Sequence, residues 1–223
     1  MKPADMTLEE LRLHLAPMVA DAAVFDGWGA EALAMAAEQA DVDLDVAKLA
    51  FKAGSNAAMA MAMIIAWIDT IDAEMAAALP QEKLGKMKIR ERIRVLVQFR
   101  LDAIVGQEEA LRRALAIMAH PQNAASSLKT GWRSADIMWR LAGDVATDYN
   151  HYTKRAILAS IYGATLAVFV DDESDDKADT RAFLERRIDG VMKFEKAKAQ
   201  FLKPDQERFS VTRLLGRLRY PAR

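Results

Sequence analysis

The chain contains no cysteine. That removes disulfide frameworks, thiol nucleophiles and thiolate metal sites together, and it fits a reducing compartment. Long hydrophobic runs are lacking too. The longest, residues 57–68, is alanine-rich and far short of the roughly 18–20 residues a spanning helix needs. The opening MKPADMTLEE has no apolar signal core, so no export sequence is expected. An excess of charge of either sign is also missing. A net charge of −1 provides no global attraction to nucleic acid or acidic lipid, which leaves only local patches.

Recognisable catalytic patterns are absent as well. The three histidines, His14, His120 and His151, lie far apart, and none belongs to an HExxH pair. No Glu-x-x-His occurs, so the paired elements of a carboxylate-bridged di-iron bundle are missing; Asp148 with His151 is a solitary i, i+3 pair. There is no G-x-S-x-G, no Walker loop and no G-x-G-x-x-G. The acidic stretch at 171–179 lacks the glycine and terminal glutamate of a calcium loop and reads as a solvated turn. No catalytic residue, metal ligand or cofactor is therefore assigned, and a hydrolase or hydroxylase reading has no site to stand on.

What remains is a rich supply of core. Hydrophobic residues make up 52% of the chain, which argues against disorder. Almost every segment carries helical period, which predicts an all-α fold. Thr7-Leu8-Glu9-Glu10 has capping-box spacing ahead of Leu11, Leu15, Met18, Val19 and Ala22 on one face. Gly27-Trp28-Gly29 reads as a turn, and short helices at 30–40 and 44–51 follow. This is the outline of a helix-turn-helix. Its electrostatics oppose that role: from Asp21 to Lys52, seven acidic residues face only Lys48 and Lys52, a local charge of −5, whereas a DNA reader needs cations for phosphates.

Next, residues 56–79 form an Ala/Met-rich helix that ends at Pro80. Met59, Met61 and Met63 suit a close-packed core, and methionine also lines adaptable lipid pockets. Residues 83–104 read as one long helix, with a solvated basic face and a buried stripe of Ile89, Ile93, Val97, Leu101 and Ile104. A helix at 107–119 comes next, then a polar connection over 122–127. A helix bearing Trp132, Met138 and Trp139 follows it, and another spans 180–202.

The most informative stretch is AGDVATDYNHYTKRAILASI, residues 142–161. Turn residues lead into a first turn crowded with Asp148, Tyr149, Asn150, His151, Tyr152, Lys154 and Arg155, a candidate recognition surface. Beyond it Ala156, Ala159, Ser160, Gly163, Ala164 and Ala167 form a small-residue stripe. Dimer contact and tight internal packing both fit that stripe. After Pro204, the tail interleaves Phe209, Val211, Leu214, Leu215 and Leu218 with Arg213 and Arg217. Such a short amphipathic helix needs a membrane surface, its own domain or a dimer mate to be stable.

Several strings match a known family. They are Pro121 to Lys129 (PQNAASSLK), Leu141-Ala142-Gly143-Asp144, Thr147-Asp148-Tyr149-Asn150, Tyr152-Thr153-Lys154-Arg155, Phe183-Leu184 and Arg187-Ile188. Across residues 121–191 the chain resembles the lipid-binding accessory protein family of coenzyme Q (ubiquinone) biosynthesis, the ninth of the eukaryotic coenzyme Q series. Where the eukaryotic pattern has Trp between Asn and Tyr, this chain has His151.

The resemblance implies a TetR-like homodimer whose helix-turn-helix does not read DNA. It also implies an isoprenoid or phospholipid ligand among the C-terminal helices and a terminal helix that touches membrane. The implied partner is the demethoxyubiquinone hydroxylase, or another ubiquinone-biosynthesis enzyme, received on residues 148–155. Trp132, Met138, Trp139, Ile161, Tyr162 and Leu166 are the candidate wall residues, each equally suited to ordinary core packing. The expected organisation is a helix-turn-helix-like unit at 1–53, a lipid-binding and dimerisation domain at 54–203 and a membrane-contact tail at 204–223. The expected location is cytoplasmic, peripheral to the inner membrane if the source is bacterial. A ligand-responsive transcriptional regulator of the same fold is the alternative.

Overall fold

Thr7 opens the first helix as its spacing predicts. In the computed structural model, which describes residues 3–146 and 149–201, Glu10 N donates to Thr7 Oγ1 at 3.3 Å while the Glu10 carboxylate accepts from Thr7 N at 2.8 Å. Helix α1 (Leu8–Asp26) buries Leu11, Leu15, Val19 and Ala22. Helices α2 (Ala30–Gln39) and α3 (Leu44–Ala50) pack on it and on each other. Asp43 caps α3 by accepting from Asp45 N and Val46 N.

Trp28 does more than punctuate. It is buried, donates from Nε1 to the Ala110 carbonyl at 2.9 Å and lies 5.3 Å from the Trp67 ring. The turn thereby fastens α1 and α2 to the rest of the molecule. Gly27 is required there: its φ of 76° favours glycine, and a Cβ would meet Arg113 Nη1 at 3.3 Å.

Helix α4 (Asn56–Ala78) starts at Ser55, whose Oγ accepts from Ala58 N at 3.2 Å. It packs against α1 and against three later helices, α6 (Ile89–Asp102), α7 (Glu108–Met118) and α8 (Ala124–Leu141). Met63, Ile64, Trp67, Ile71 and Met75 are buried on it. Each such side chain contributes about 1.5–3 kcal/mol, so α4 is the centre of the core.

The single helix expected over 83–104 is two. A short α5 (Gln81–Leu84) ends at Gly85, and α6 begins only at Ile89. Lys88 is extended, and its N–H donates to the Glu91 carboxylate. Arg92 donates to the Gly85 and Met87 carbonyls left open by the break, at 3.0 and 2.8 Å. The basic run is also not wholly solvated: Arg100 is 1% exposed. Helix α8 starts earlier than expected, at Ala124, so Ser126 and Ser127 are helical rather than part of a connection.

Helix α9 (Tyr149–Phe169) packs along α8, and α10 (Ala178–Phe201) follows. The acidic stretch between them is more than a solvated turn. Buried Asp172 accepts from Ser174 N at 2.9 Å, Ser174 Oγ at 2.5 Å, Thr180 N at 2.8 Å and Thr180 Oγ1 at 2.5 Å. Burial opposes ionisation, but these four donors outweigh it and hold the carboxyl well below the usual carboxylate range.

By compactness the chain divides into Met1–Ile188 and Asp189–Arg223. The first unit holds α1–α9 with the start of α10, and the helix-turn-helix-like segment 1–53 belongs to it. Among the described residues there is no strand, and no helix is long and apolar enough to cross a membrane. The tail candidates Phe209, Val211, Arg213, Leu214, Leu215, Arg217 and Leu218 lie outside the described residues, as does Asp148.

Candidate functional site

Bulky side chains on α4 and α7 face small ones on α9, and the mismatch leaves space. Ile64, Trp67 and Ile71 approach from α4, and Leu111, Leu115 and Met118 from α7. Ala156, Ala159, Ser160 and Gly163 of α9 line the same space. The result is a largely apolar cavity of about 660 Å³, within the range of about 300–1,000 Å³ typical of sites for small organic ligands. A Cβ added at Gly163 would meet nothing within 4 Å, so the space is real on that side. Leu128, which also lines it, is 76% exposed and marks an open edge.

One polar cluster breaks the apolar wall. Arg100 lines the cavity, forms a buried ion pair with Asp72 and stacks over the Tyr162 ring with Cζ 4.9 Å from its centroid. Ser134 Oγ donates to the other Asp72 oxygen at 2.9 Å. Neither Arg100 nor Asp72 was expected at a site. A signal existed: Arg100 lies seven residues after Ile93 and three after Val97, on the buried stripe, and Asp72 sits among Ile68, Ile71 and Met75.

Of the six expected wall residues, Trp132, Tyr162 and Leu166 line the cavity. Met138, Trp139 and Ile161 do not. Met138 is fully buried in the core, and Ile161 packs against that core half-buried. Trp139 donates from Nε1 to the Lys154 carbonyl at 3.0 Å, and the Lys154 ammonium lies 5.4 Å from its ring.

Helix α8 is stopped two residues after Leu141 by Gly143, with a φ of 88°. Gly143 N donates to the Arg140 carbonyl and Asp144 N to the Trp139 carbonyl, both at 2.9 Å, closing the helix with a left-handed cap. The cap directs Asp144 back towards α9. There Lys154 Nζ donates to Asp144 Oδ1 at 2.6 Å and Arg155 Nη1 to Asp144 Oδ2 at 3.0 Å. Burial works against Asp144 ionising, but Lys154 and Arg155 outweigh it and hold its carboxyl below the ordinary range. Arg155 Nε also donates to Asp136 at 2.6 Å.

The seven expected partner residues are thus not equivalent. Tyr149, Asn150 and Tyr152 are exposed, while His151 and Lys154 are half-buried. The Tyr152 ring lies 6.1 Å from Trp132 and 5.1 Å from His151, and His151 Nδ1 lies 3.0 Å from the Ala146 carbonyl. Arg155 is buried beneath this face. The face and the cavity adjoin, because Trp132 belongs to the wall of one and touches the ring of the other. Among the described residues, no group of three or more His, Asp or Glu is placed to hold a metal ion.

Comparison with known proteins shows what this arrangement is similar to. Residues 124–195 match the COQ9 family model, a stretch that includes α8, α9 and the face between them. The chain is 35% identical over 173 residues to the ubiquinone biosynthesis protein COQ9, mitochondrial, of Homo sapiens, covering 74% of this chain and 52% of that protein. The Rattus norvegicus protein of the same name is likewise 35% identical over 173 residues, covering 74% of this chain and 54% of its own length. The chain therefore spans about half the length of the curated relatives it matches. A TetR transcriptional regulator from Nitrosomonas europaea, solved by crystallography, superposes with a TM-score of 0.64 at 22% identity, covering 82% of this chain and 98% of that one. Residues 124–195 are thus similar to the COQ9 family, and the helical fold is TetR-like.

Proposed function

We propose that this protein is a non-enzymatic accessory factor of ubiquinone biosynthesis that binds a prenylated quinone precursor and presents it to a membrane hydroxylase. The cavity carries this reading. A precursor with a long isoprenoid tail is nearly insoluble in water, so its transfer to an enzyme needs an apolar enclosure near the bilayer. The cavity shared by α4, α7, α8 and α9 offers that enclosure, and helices of the family domain form its open edge.

In this reading the exposed Tyr149, Asn150 and Tyr152, with His151 and Lys154 beside them, receive the partner enzyme. The ligand can then leave where Trp132 meets Tyr152. A homodimer forms over Ala164 and Ala167, the exposed part of the small-residue face of α9 that does not line the cavity, and the basic amphipathic tail holds the protein peripherally on a membrane. A DNA-reading role finds support only in the TetR-like fold, and the local charge of −5 over residues 21–52 works against it.

The test is native mass spectrometry of protein purified in mild detergent, followed by organic extraction and lipid identification. A dimer with a co-purifying isoprenoid quinone, quinone precursor or phospholipid is expected. A dimer that retains a small polar ligand instead would refute the carrier reading in favour of a regulator.

A further inference from the structure

We propose that Arg100 sets the ligand specificity of the cavity by donating to a neutral oxygen acceptor, such as a ring carbonyl or phenol oxygen, on an apolar-tailed molecule. The proposal rests on the reading of the cavity as a lipid-tail site and adds what the head of that ligand must offer.

Among the described residues that line the cavity, Arg100 is the only charged one. It is 1% exposed, so its guanidinium is almost wholly removed from water. A guanidinium carries five N–H donors. Asp72 is the one acceptor that Arg100 reaches among the described residues, which leaves donors of its guanidinium without a protein partner. An unmet donor on a buried cation is costly, and such groups are rare unless something completes them.

Four of the neighbouring hydroxyls are already committed. Ser127 donates to the Met118 carbonyl at 2.8 Å, Thr130 to Ser126 at 2.9 Å and Ser160 to Ala156 at 2.8 Å. Ser134 is committed to Asp72. Their protons are spent within the protein, whereas Arg100 has donors to spare at the wall itself.

Charge balance then selects the kind of acceptor. Arg100 and Asp72 cancel formally, and no second cation among the described residues lines the cavity. A phosphate or carboxylate entering there would leave an uncompensated buried negative charge. A neutral oxygen gains the hydrogen bond without that cost. Tyr162, stacked on the guanidinium, holds its plane in place.

The experiment uses the delipidated full chain and reads displacement of Nile red by three probes: decylbenzoquinone, decylbenzene and decyl phosphate. The quinone is expected to displace the dye at a concentration lower than decylbenzene by on the order of ten-fold, the scale of a hydrogen bond to a charged donor. Decyl phosphate should do no better than decylbenzene. In Arg100→Met/Asp72→Leu, which removes both members of the pair and leaves no orphan charge, the quinone and decylbenzene should converge to within about two-fold. If that variant does not fold, Arg100→Lys keeps the charge but loses the forked donors, and the quinone preference should fall.

Equal displacement by all three probes in the wild-type chain would overturn the role of Arg100 while leaving the lipid reading intact. Tightest binding of the phosphate would overturn the neutral acceptor. A quinone preference that persists in a folded variant would overturn Arg100 as its source. Failure of every probe, decylbenzene included, would refute the cavity as a tail site and with it the proposed function.

Discussion

Arg155 Nη1 donates to Asp144 Oδ2 at 3.0 Å, with both side chains almost completely buried. The pair joins the first turns of α9 to the residue just past the end of α8. It therefore fixes the angle at which Tyr149 and Tyr152 are displayed. Removing Arg155 leaves Asp144 and Asp136 without their shared cation. Arg155→Met is expected to destabilise the protein by about 3–5 kcal/mol, as for other broken buried pairs. Urea denaturation checks this, and a change of under about 1 kcal/mol would mean that Lys154, paired with Asp144, and Arg140, 2.8 Å from Asp136, suffice.

Tyr152→Ala should behave in the opposite way. The side chain is exposed and, among the described residues, makes only ring contacts with Trp132 and His151. A stability change below about 1 kcal/mol is expected, together with roughly ten-fold weaker capture of the hydroxylase, as for an aromatic interface anchor. An unaltered pull-down would remove this face from the proposed interface.

The acidic link before α10 predicts a pH dependence. The Asp172 carboxyl is lowered in the folded state by the donors from Ser174 and Thr180, which outweigh burial. Its contribution is therefore fully present above the unfolded value of about 3.9 and is lost as pH falls through the lower folded value. Urea midpoints measured from neutral pH down to about 3 should decline less steeply for Asp172→Asn than for the wild type. Parallel declines would show that other carboxylates dominate acid unfolding.

Gly163→Leu fills the cavity from a position where an added Cβ meets nothing. Exchanging glycine for leucine inside a helix favours folding by up to about 1 kcal/mol. The melting temperature should hold or rise while the amount of co-purifying lipid falls. Undiminished lipid would place the ligand elsewhere.

Removing residues 209–223 deletes the apolar and arginine-rich set of the tail. Liposome co-sedimentation should drop sharply, since each basic residue near anionic lipid contributes about 1 kcal/mol, while thermal stability stays nearly unchanged. Loss of folding instead would show that the tail packs as core.

The helices were readable because their signals are local. The Thr7 capping box, the stripe of Leu11, Leu15 and Val19, and the Gly143 stop each act within a turn or two of their own position. Where the reading of the helices failed, a longer-range contact decided. Leu84 is fully buried, and Arg92 ties the carbonyls around Gly85 and Met87, so the run from 83 to 104 breaks despite its continuous helical period. Trp28 looked like part of a turn because its acceptor, Ala110, lies 82 residues away.

The candidate site divides along the same line. Sequence alone determined an all-α chain without cysteine chemistry, a polar and aromatic knot at the mouth of α9, and the small residues that follow it. These are matters of residue type and spacing along a single helix. The tertiary structure alone decided that Arg155 goes beneath the knot while Tyr152 stays on it, and that Met138 fills the core while Trp132 lines a void. It also placed Arg100, from a basic run, against Asp72 inside that void. The reason is physical: helical period says which side of a helix faces inward, but a cavity is a difference in volume between side chains of several helices. That difference exists only once α4, α7, α8 and α9 have been brought together.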